Sequence, residues 1–280
     1  MARPLLIFLH LAKTGGRSVE TMLRSTYGPT YCRALEWHRS LRPGETGRPF
    51  LVATYDHDDF QRLARLNPWM RAAGGHAITL WSNVHELRPV RYFAFLRDPL
   101  KRAASHYQFH VADTAQPLDW DAWCAWDEPH NHQVKFFTRD GDAAAAIAAI
   151  ERHQVFVGLL EHFDECLVML KKLVAPELNL AYRRRNVAEH NDFAREILAD
   201  PVRREQLWQR NRGEQPLYDY VANELLPRYR RAYGPSLAED VARFQADRER
   251  GYNRLNDHLH RALFRLYWNP AVACYRRREG

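Results

Sequence analysis

The chain opens with a short apolar run, "PLLIFLH" at residues 4–10, which passes through a lysine and two glycines into an amphipathic segment. An unbroken apolar run of this length is typical of a strand buried on both faces of a parallel sheet. Two later runs have the same character, "VRYFAFLRDP" at residues 90–99 and "HQVFVGLLEHF" at residues 153–163. A weaker strand candidate is "HAITLW" at residues 76–81.

Segments with helical periodicity separate these runs. They include "DDFQRLARL", "GDAAAAIAAIERH", "DECLVMLKKLV" and two long stretches at residues 217–232 and 236–266. Strands that alternate with helices predict an α/β fold, a doubly wound parallel sheet flanked by helices. We expect one α/β domain over residues 1–235 and a C-terminal helical extension, residues 236–280, packed on the same domain. Residues 40–49, rich in proline and glycine, predict a mobile loop.

The loop after the first strand resembles a phosphate-binding loop. Gly15 and Gly16 allow close approach of the backbone, Lys13 adds a cation, and Thr14 and Ser18 add hydroxyls. A Walker A loop places its lysine after the last glycine, whereas here the lysine precedes both glycines. The sequence therefore indicates a P-loop-like anion site rather than an ATPase loop, with an ordinary strand–turn–helix corner as the alternative.

The second buried run leads into a similar loop. Asp98 is a candidate N-cap and Pro99 suits the first position of a helix. Arg97 ends the strand at the carboxyl edge of the sheet, where open α/β sheets bind ligands. Arg102 and Ser105 lie three residues apart on the following helix and share a face. The alternative for Arg97 is a structural ion pair. Two anion-binding strand ends favour a ligand with two separate anionic groups.

The two motifs, "FLHLAKTGG" followed by Ser18 and "RDP" followed by Arg102, Ser105 and Tyr107, resemble the nucleotide signatures of sulfotransferases that use 3′-phosphoadenosine 5′-phosphosulfate. The combination is most similar to the carbohydrate group that includes the heparan 2-O-sulfotransferases, sulfotransferase family 2. The resemblance covers roughly residues 4–232 and includes weaker stretches such as "GGHAITLW" and "RRRNVAEHN". Family members in membranes carry an N-terminal anchor that this sequence does not show, so their Golgi location does not carry over.

The resemblance implies transfer of a sulfuryl group to a hydroxyl, with adenosine 3′,5′-bisphosphate as the other product. It implies that the 5′-phosphosulfate is held by Lys13, Thr14, Gly15, Gly16, Arg17 and Ser18, and the 3′-phosphate by Arg97 and Ser105. Arg185 and Asn186 are expected to close over the nucleotide. Lys13 is expected to neutralise the charge that develops on the leaving oxygen. His76 matches the family's general base, and His57, His85 and Glu86 are alternatives.

Charge and composition limit the partners. The net charge of +7 suits an anionic partner but does not single out nucleic acid. We expect an acceptor that is a glycan or glycolipid, on which Trp81, Trp120, Trp123 or Trp126 would stack unless these rings belong to the core. A nucleotide-dependent phosphotransferase and a non-catalytic polyanion-binding protein are the competing functions.

Cysteine usage and hydropathy bear on metals and location. The four cysteines are widely spaced and predict neither a zinc site nor a disulfide framework. The sequence shows no carboxylate cluster suited to magnesium, so we predict a reaction without a metal. No apolar run approaches the roughly 20 residues that span a bilayer. The first strand begins too early to leave room for a signal peptide. We therefore expect a cytoplasmic protein.

Overall fold

A computed structural model describes residues 3–34, 55–113, 118–127, 129–182, 192–268 and 270–271. Its centre is a five-stranded, wholly parallel sheet in the order β2-β3-β1-β4-β5. The strands are β1 Leu5–Leu9, β2 Tyr31–Arg33, β3 Ala72–Gly75, β4 Val90–Leu96 and β5 Phe156–Leu159. The predicted loop at residues 40–49 lies outside the described residues.

Helices pack around this sheet, so the predicted fold class is confirmed. They are α1 Gly16–Tyr27, α2 His57–Leu66, α3 Pro99–Asp113, α4 Trp120–Ala125, α5 His132–Lys135, α6 Ala143–Arg152, α7 Phe163–Leu173, α8 Asp192–Ala199, α9 Pro201–Asn211, α10 Gln215–Tyr220, α11 Leu226–Tyr233, α12 Leu237–Ala246 and α13 Arg254–Leu263. A π-helical turn, Val221–Leu225, joins α10 to α11, and a second, Phe264–Trp268, continues α13.

The apolar runs form strands whose two faces are covered by helices. All five residues of β1 are fully buried. They pair with β3 on one side and with β4 on the other, so that Leu9 lies opposite both Gly75 and Ala94. A central strand of this kind has no solvent-facing positions, which is why its sequence does not alternate.

The connections that leave β1 and β4 run in opposite directions. The chain goes from β1 through α1 to β2 at one edge, and from β4 to β5 at the other edge. Right-handed crossovers then place the intervening helices on opposite faces of the sheet. Such a switch point leaves a crevice outside the carboxyl ends of the two strands, where ligands of open α/β sheets bind. The two sequence motifs therefore open into one crevice.

The third strand differs from the prediction. The strand is Ala72–Gly75, which ends before the predicted segment at residues 76–81 begins, and the last two residues of that segment belong to a 3₁₀ turn, Leu80–Ser82. Two alanines and two glycines give no apolar run to recognise, and the segment is a strand because β1 and β2 pair with it from both sides. The close packing of this pairing needs a small residue, since a Cβ on Gly74 would lie 2.9 Å from the Cβ of Phe8. The three-residue strand β2 was also not predicted.

The predicted helix over residues 236–266 is interrupted. The chain leaves α12 after Ala246 and begins α13 at Arg254. Gly251 takes a φ of 81° within the break, a value that favours glycine. Asn253 then caps α13, because its side-chain oxygen accepts a hydrogen bond of 3.0 Å from the Asn256 N–H.

The C-terminal helices contact the rest of the chain at several places, and at two of these a whole helix packs against another element. α12 packs against α7, and α13 packs against α1 and the turn after it. At the second place the Arg24 guanidinium donates to the Asp257 carboxylate over 2.7 Å, and the Asn256 side chain donates to the carbonyl of Ser25 over 2.9 Å. None of the helices in the described part of the chain combines the length and the hydrophobicity that a bilayer crossing requires.

Candidate active site

The first loop turns sharply between β1 and α1. Lys13 and Gly15 both have left-handed backbone conformations, with φ values of 68° and 87°. Gly15 is the residue that precedes the helix, which begins at Gly16. The Thr14 side chain is buried, and its hydroxyl donates to the Leu11 carbonyl over 2.9 Å. The loop therefore brings the N-terminus of α1 and its positive dipole end to the crevice, while the Thr14 hydroxyl stabilises the turn.

A steric constraint from His10 requires a glycine at position 16. A Cβ at this position would lie 1.7 Å from Nε2 of His10. His10 follows β1 directly, and its ring stacks on Phe8 with centroids 5.0 Å apart. The imidazole thus lies against the backbone at the start of α1. The glycine makes room for a histidine that the motif brings with it.

Arg97 connects the second motif to the first. Its guanidinium Nη1 donates to the backbone carbonyl of Lys13 over 3.3 Å. Gln133 fixes the Arg97 backbone on both sides, since its Oε1 accepts from the Arg97 N–H over 2.8 Å and its Nε2 donates to the Arg97 carbonyl over 2.9 Å. Burial lowers the pKa of Arg97, against the pull of Glu161 and Asp98. The two loops therefore meet, as their positions on neighbouring strands predict.

The helix after Arg97 starts as predicted. Asp98 caps it by accepting from the Lys101 N–H over 2.9 Å, and Pro99 is its first residue. Arg102, by contrast, is fully buried and donates to Glu214 over 3.4 Å and to the carbonyl of Pro129 over 2.9 Å. Arg102 thus braces α3 against the helices around Glu214 rather than facing the crevice. Ser105, one turn later, is half-buried.

Lys13 and α3 also meet through their side chains. The Lys13 ammonium lies 4.6 Å from the centre of the Phe109 ring. This cation–π contact holds the ammonium on the side of the loop that faces α3. The lysine of the first motif and the helix of the second motif thus border the same space.

His76 contacts the first loop from the end of β3. Its Nδ1 lies 2.7 Å from the carbonyl oxygen of His10, and the two imidazole rings stack with centroids 4.0 Å apart. A carbonyl only accepts, so Nδ1 must carry the proton and the lone pair lies on Nε2 of the neutral ring. Burial, followed by the charge of His10, lowers the pKa of His76 to about 3, while Glu20 acts in the opposite direction.

Glu20 is a functional candidate that sequence reasoning missed. This α1 carboxylate is 4% exposed, and its Oε1 lies 3.3 Å from His10 Nδ1 and 3.0 Å from Arg33 Nε. Burial alone would raise the pKa of the Glu20 carboxyl, but His10 and Arg33 outweigh burial and hold the pKa at about 2. The signal was present in the sequence, because Glu20 lies four residues after Gly16 and three before Leu23 on the apolar stripe of α1.

The alternative bases have other partners. His57 Nδ1 lies 3.4 Å from Glu86 Oε2, so these two candidates pair with each other. His85 Nδ1 lies 3.2 Å from the Tyr92 hydroxyl near the start of β4, and its ring lies 4.3 Å from that of His153, which precedes β5. His85 is therefore near the amino ends of the strands, whereas His76 is at the carboxyl edge beside the first loop.

The remaining sequence candidates have different outcomes. Arg185 and Asn186 lie outside the described residues. Trp123 is fully buried in a cluster with Tyr107, Ile197 and Leu207, which places its ring in the core, and Trp81 donates to the Lys135 carbonyl over 2.9 Å. Within the residues that the structure describes, no group of three or more His, Cys, Asp or Glu side chains is arranged to hold a metal ion.

Comparisons with known proteins give a match among solved structures only. No family model matches the chain, and no curated protein matches it. Among solved structures, the chain is similar to a sulfotransferase from Alicyclobacillus acidocaldarius, with 20% sequence identity and a TM-score of 0.43. The similarity covers 75% of this chain and 98% of that one.

Proposed function

We propose that this chain is a sulfotransferase that moves a sulfuryl group from 3′-phosphoadenosine 5′-phosphosulfate to a hydroxyl of a carbohydrate or glycolipid. One observation carries the proposal: the Arg97 guanidinium donates to the Lys13 carbonyl over 3.3 Å. This contact joins two anion-binding loops into one crevice with cationic groups from both. A nucleotide with anions at its 3′ and 5′ ends matches that arrangement.

The first loop would hold the 5′ end of the nucleotide. At the first turn of α1, the N–H groups of Gly16 and Arg17 precede the first intrahelical bonds, and the N-terminal dipole end favours an anion. Residues Thr14 to Ser18 would thus surround the 5′-phosphosulfate. Arg97 and Ser105 would hold the 3′-phosphate, and Arg185 and Asn186 would close over the bound nucleotide.

Lys13 would act on the leaving group. In an in-line transfer the bond from sulfur to the bridging oxygen breaks, and its electron pair remains on the 5′-phosphate. The Lys13 ammonium, held beside α3 by Phe109, would stabilise that developing charge. We propose a transfer without a metal ion, because the moving sulfuryl group carries a single negative charge and one ammonium is a sufficient counter-charge.

His76 would accept the proton of the acceptor hydroxyl. As the new oxygen–sulfur bond forms, this proton passes to Nε2, the nitrogen that holds the lone pair when Nδ1 donates to the His10 carbonyl. A pKa of about 3 keeps the ring neutral, as a base must be, but weakens its pull on a proton. The Glu20 carboxylate limits this weakness, because without its negative charge the pKa of His76 would lie lower still.

Calorimetric titration with adenosine 3′,5′-bisphosphate and with ATP, each with and without Mg²⁺, tests the proposal. The proposal predicts that the bisphosphate binds tightly and independently of Mg²⁺, and that ATP binds weakly. A preference for Mg·ATP would favour a phosphotransferase instead. If neither nucleotide binds but polyanions bind with a steep salt dependence, the chain is a polyanion-binding protein.

A further inference from the structure

Exposed apolar side chains are concentrated at one place on the surface. Among the described residues, eight large apolar side chains are exposed, and five of them belong to α13, to the turn that continues it, or to a neighbour of that turn. These five are Trp69, Leu255, Leu259, Leu266 and Tyr267. Trp69 belongs to this group because its ring centroid lies 5.7 Å from that of Tyr267. Scattered apolar residues are ordinary on a protein surface, but a cluster indicates a contact surface.

The cluster follows the outward side of α13. Leu255, Leu259, Ala262 and Leu266 are spaced four, three and four residues apart, which places them along one helix face. Three of them are leucines with exposures of 67%, 43% and 79%. We call Leu255, Leu259, Ala262 and Leu266, with Trp69 and Tyr267, the outer face of α13.

The opposite side of α13 is firmly attached to the molecule. Asp257 and His260 are buried, with Asp257 bound to Arg24 over 2.7 Å and His260 Nδ1 lying 3.3 Å from the Gly28 carbonyl. The π-helical turn that continues α13 includes Trp268, which is 2% exposed. The contacts of Asp257 and His260 fix the orientation of α13. The leucines on its other side therefore stay exposed, because turning them into the core would break these contacts.

The charged residues beside the outer face of α13 indicate the kind of partner that it can bind. The exposed residues Arg254, His258 and Arg265 lie on one flank of the leucine stripe. The single acidic residue in the segment 254–268 is Asp257, which is paired with Arg24 and Arg261. An antiparallel second copy would bring these basic flanks against each other. An apolar stripe with a basic flank instead matches a partner that has an apolar interior beneath a negatively charged surface.

We propose that the outer face of α13 binds the surface of an anionic lipid bilayer. The leucines enter the boundary between headgroups and acyl chains, and the arginine flank contacts the lipid phosphates. Trp69 and Tyr267 lie at the rim, where rings with one polar end are favoured. The helix lies on the membrane and does not cross it. This inference does not depend on the proposed catalytic function.

Co-sedimentation of the full chain with lipid vesicles tests it. We expect binding to vesicles of phosphatidylcholine mixed with phosphatidylglycerol, much weaker binding to phosphatidylcholine alone, and loss of binding at high salt. The triple variant Leu255→Ser/Leu259→Ser/Leu266→Ser should lower the partition constant on the order of a hundredfold, because three apolar side chains no longer leave water. Val202→Ser is the matched control, since Val202 is 68% exposed on α9, and it should bind as the parent does.

A second pair of variants tests the charge. Arg254→Gln and Arg265→Gln should each weaken binding to the anionic vesicles about fivefold while leaving the weak binding to neutral vesicles unchanged. The substituted residues are all exposed, so the thermal midpoint should stay within a few degrees of the parent. Failure to bind anionic vesicles, or equal binding by the triple variant, would overturn the proposal. So would a dimer in light scattering that the triple variant converts to a monomer, because the face would then bind a second copy.

Discussion

At the scale of single residues, the site depends on a chain of contacts that begins at a buried carboxylate. Glu20 lies 3.3 Å from His10 Nδ1, and the His10 carbonyl lies 2.7 Å from His76 Nδ1. The contact between Glu20 and His10 places a negative charge next to the stacked imidazoles of His10 and His76. The contact between His76 and the His10 carbonyl fixes the proton of the neutral His76 ring on Nδ1. His76 would therefore depend on two residues that do not themselves touch the acceptor.

The sequence predicted part of this arrangement. Lys13, Arg97 and His76 all lie at the carboxyl edge of the sheet, and two of them touch, because motifs that end neighbouring parallel strands converge. The sequence places Glu20 on the apolar stripe of α1, but it indicates neither the pairing of Glu20 with His10 nor the burial of Arg102 beside Glu214, since these partners come from other segments. Pairing of buried charges depends on tertiary packing, which no local pattern specifies.

Replacing the proposed base should separate chemistry from binding. His76→Ala removes the group that accepts the hydroxyl proton, so we expect the rate of sulfuryl transfer to fall by about 10²- to 10⁴-fold. Affinity for adenosine 3′,5′-bisphosphate, measured by calorimetry, should change little. Near-normal transfer rates would instead assign the base to His57 or Glu86.

Two neighbouring charges should move the pH profile in opposite directions. Glu20 raises the pKa of His76 and Arg33 lowers it. We therefore expect Glu20→Gln to shift the acidic limb of the pH–rate profile to lower pH, and Arg33→Gln to shift it to higher pH. A purely structural role for Glu20 would lower the rate at every pH without moving the limb, and that result would contradict its action on His76.

At the scale of elements, the long apolar strands were predictable and the small-residue strand was not. β1, β4 and β5 are recognisable because each lies in an apolar run, which Arg91 interrupts near the start of β4. β3 consists of alanine and glycine, and it is a strand because β1 and β2 pair with it. The break between α12 and α13 did have a local signal, the glycine and asparagine at residues 251 and 253, which the helical periodicity on both sides obscured.

The close packing of Gly16 against His10 at the junction of β1 and α1 can be tested by substitution. Gly16→Ala adds a Cβ that would lie 1.7 Å from His10 Nε2, so the imidazole must move. We expect a loss of about 1–3 kcal/mol in the free energy of unfolding, and weaker binding of the bisphosphate.

The double variant His10→Ala/Gly16→Ala is the control, because it removes the ring that the new methyl group meets. The cost of Gly16→Ala should therefore be much smaller in the His10→Ala background, as chemical denaturation would show. An equal cost in both backgrounds would mean that the glycine is needed for its backbone conformation and not for the space that His10 occupies.

At the scale of the whole molecule, buried histidines should set the response to acid. Burial is the main cause that lowers the pKa of His76 to about 3 and the pKa values of His130 and His260 to about 4. Burial also lowers the pKa values of His106 and His132. His106 and His132 are neighbours with ring centroids 6.4 Å apart, whereas His260 lies on α13, so protonation opposes folding both beside α3 and at the C-terminal helix.

The sign and the pH range follow from linkage. Below the unfolded pKa of about 6.5, the unfolded chain binds protons that the folded chain does not, so the free energy of unfolding falls as the pH decreases. The loss should begin near pH 6.5 and continue to about pH 4 for His130 and His260 and to about pH 3 for His76. The carboxyls of Glu20 and Asp257, with pKa values of about 2, contribute a further loss as the pH falls from the ordinary pKa of a carboxyl, about 4, to about 2.

Urea unfolding between pH 8 and pH 4.5 measures this effect. His260 alone should account for a few kcal/mol, and the His260→Gln variant should show a shallower dependence on pH than the parent. A stability that does not change over this range would contradict the burial of these imidazoles as neutral rings.

The proposed function requires that the two loops form a single site for a nucleotide with two anionic ends. The most direct measurement compares the affinities of adenosine 3′,5′-bisphosphate and adenosine 5′-phosphate for the parent protein and for Arg97→Ala. We expect the parent to prefer the bisphosphate, and Arg97→Ala to weaken its binding by roughly 10- to 100-fold, as the loss of a charge-assisted hydrogen bond implies. Binding of adenosine 5′-phosphate should change much less. Equal losses of affinity for both nucleotides, or no preference for the bisphosphate in the parent, would contradict a single site with Arg97 at the 3′-phosphate.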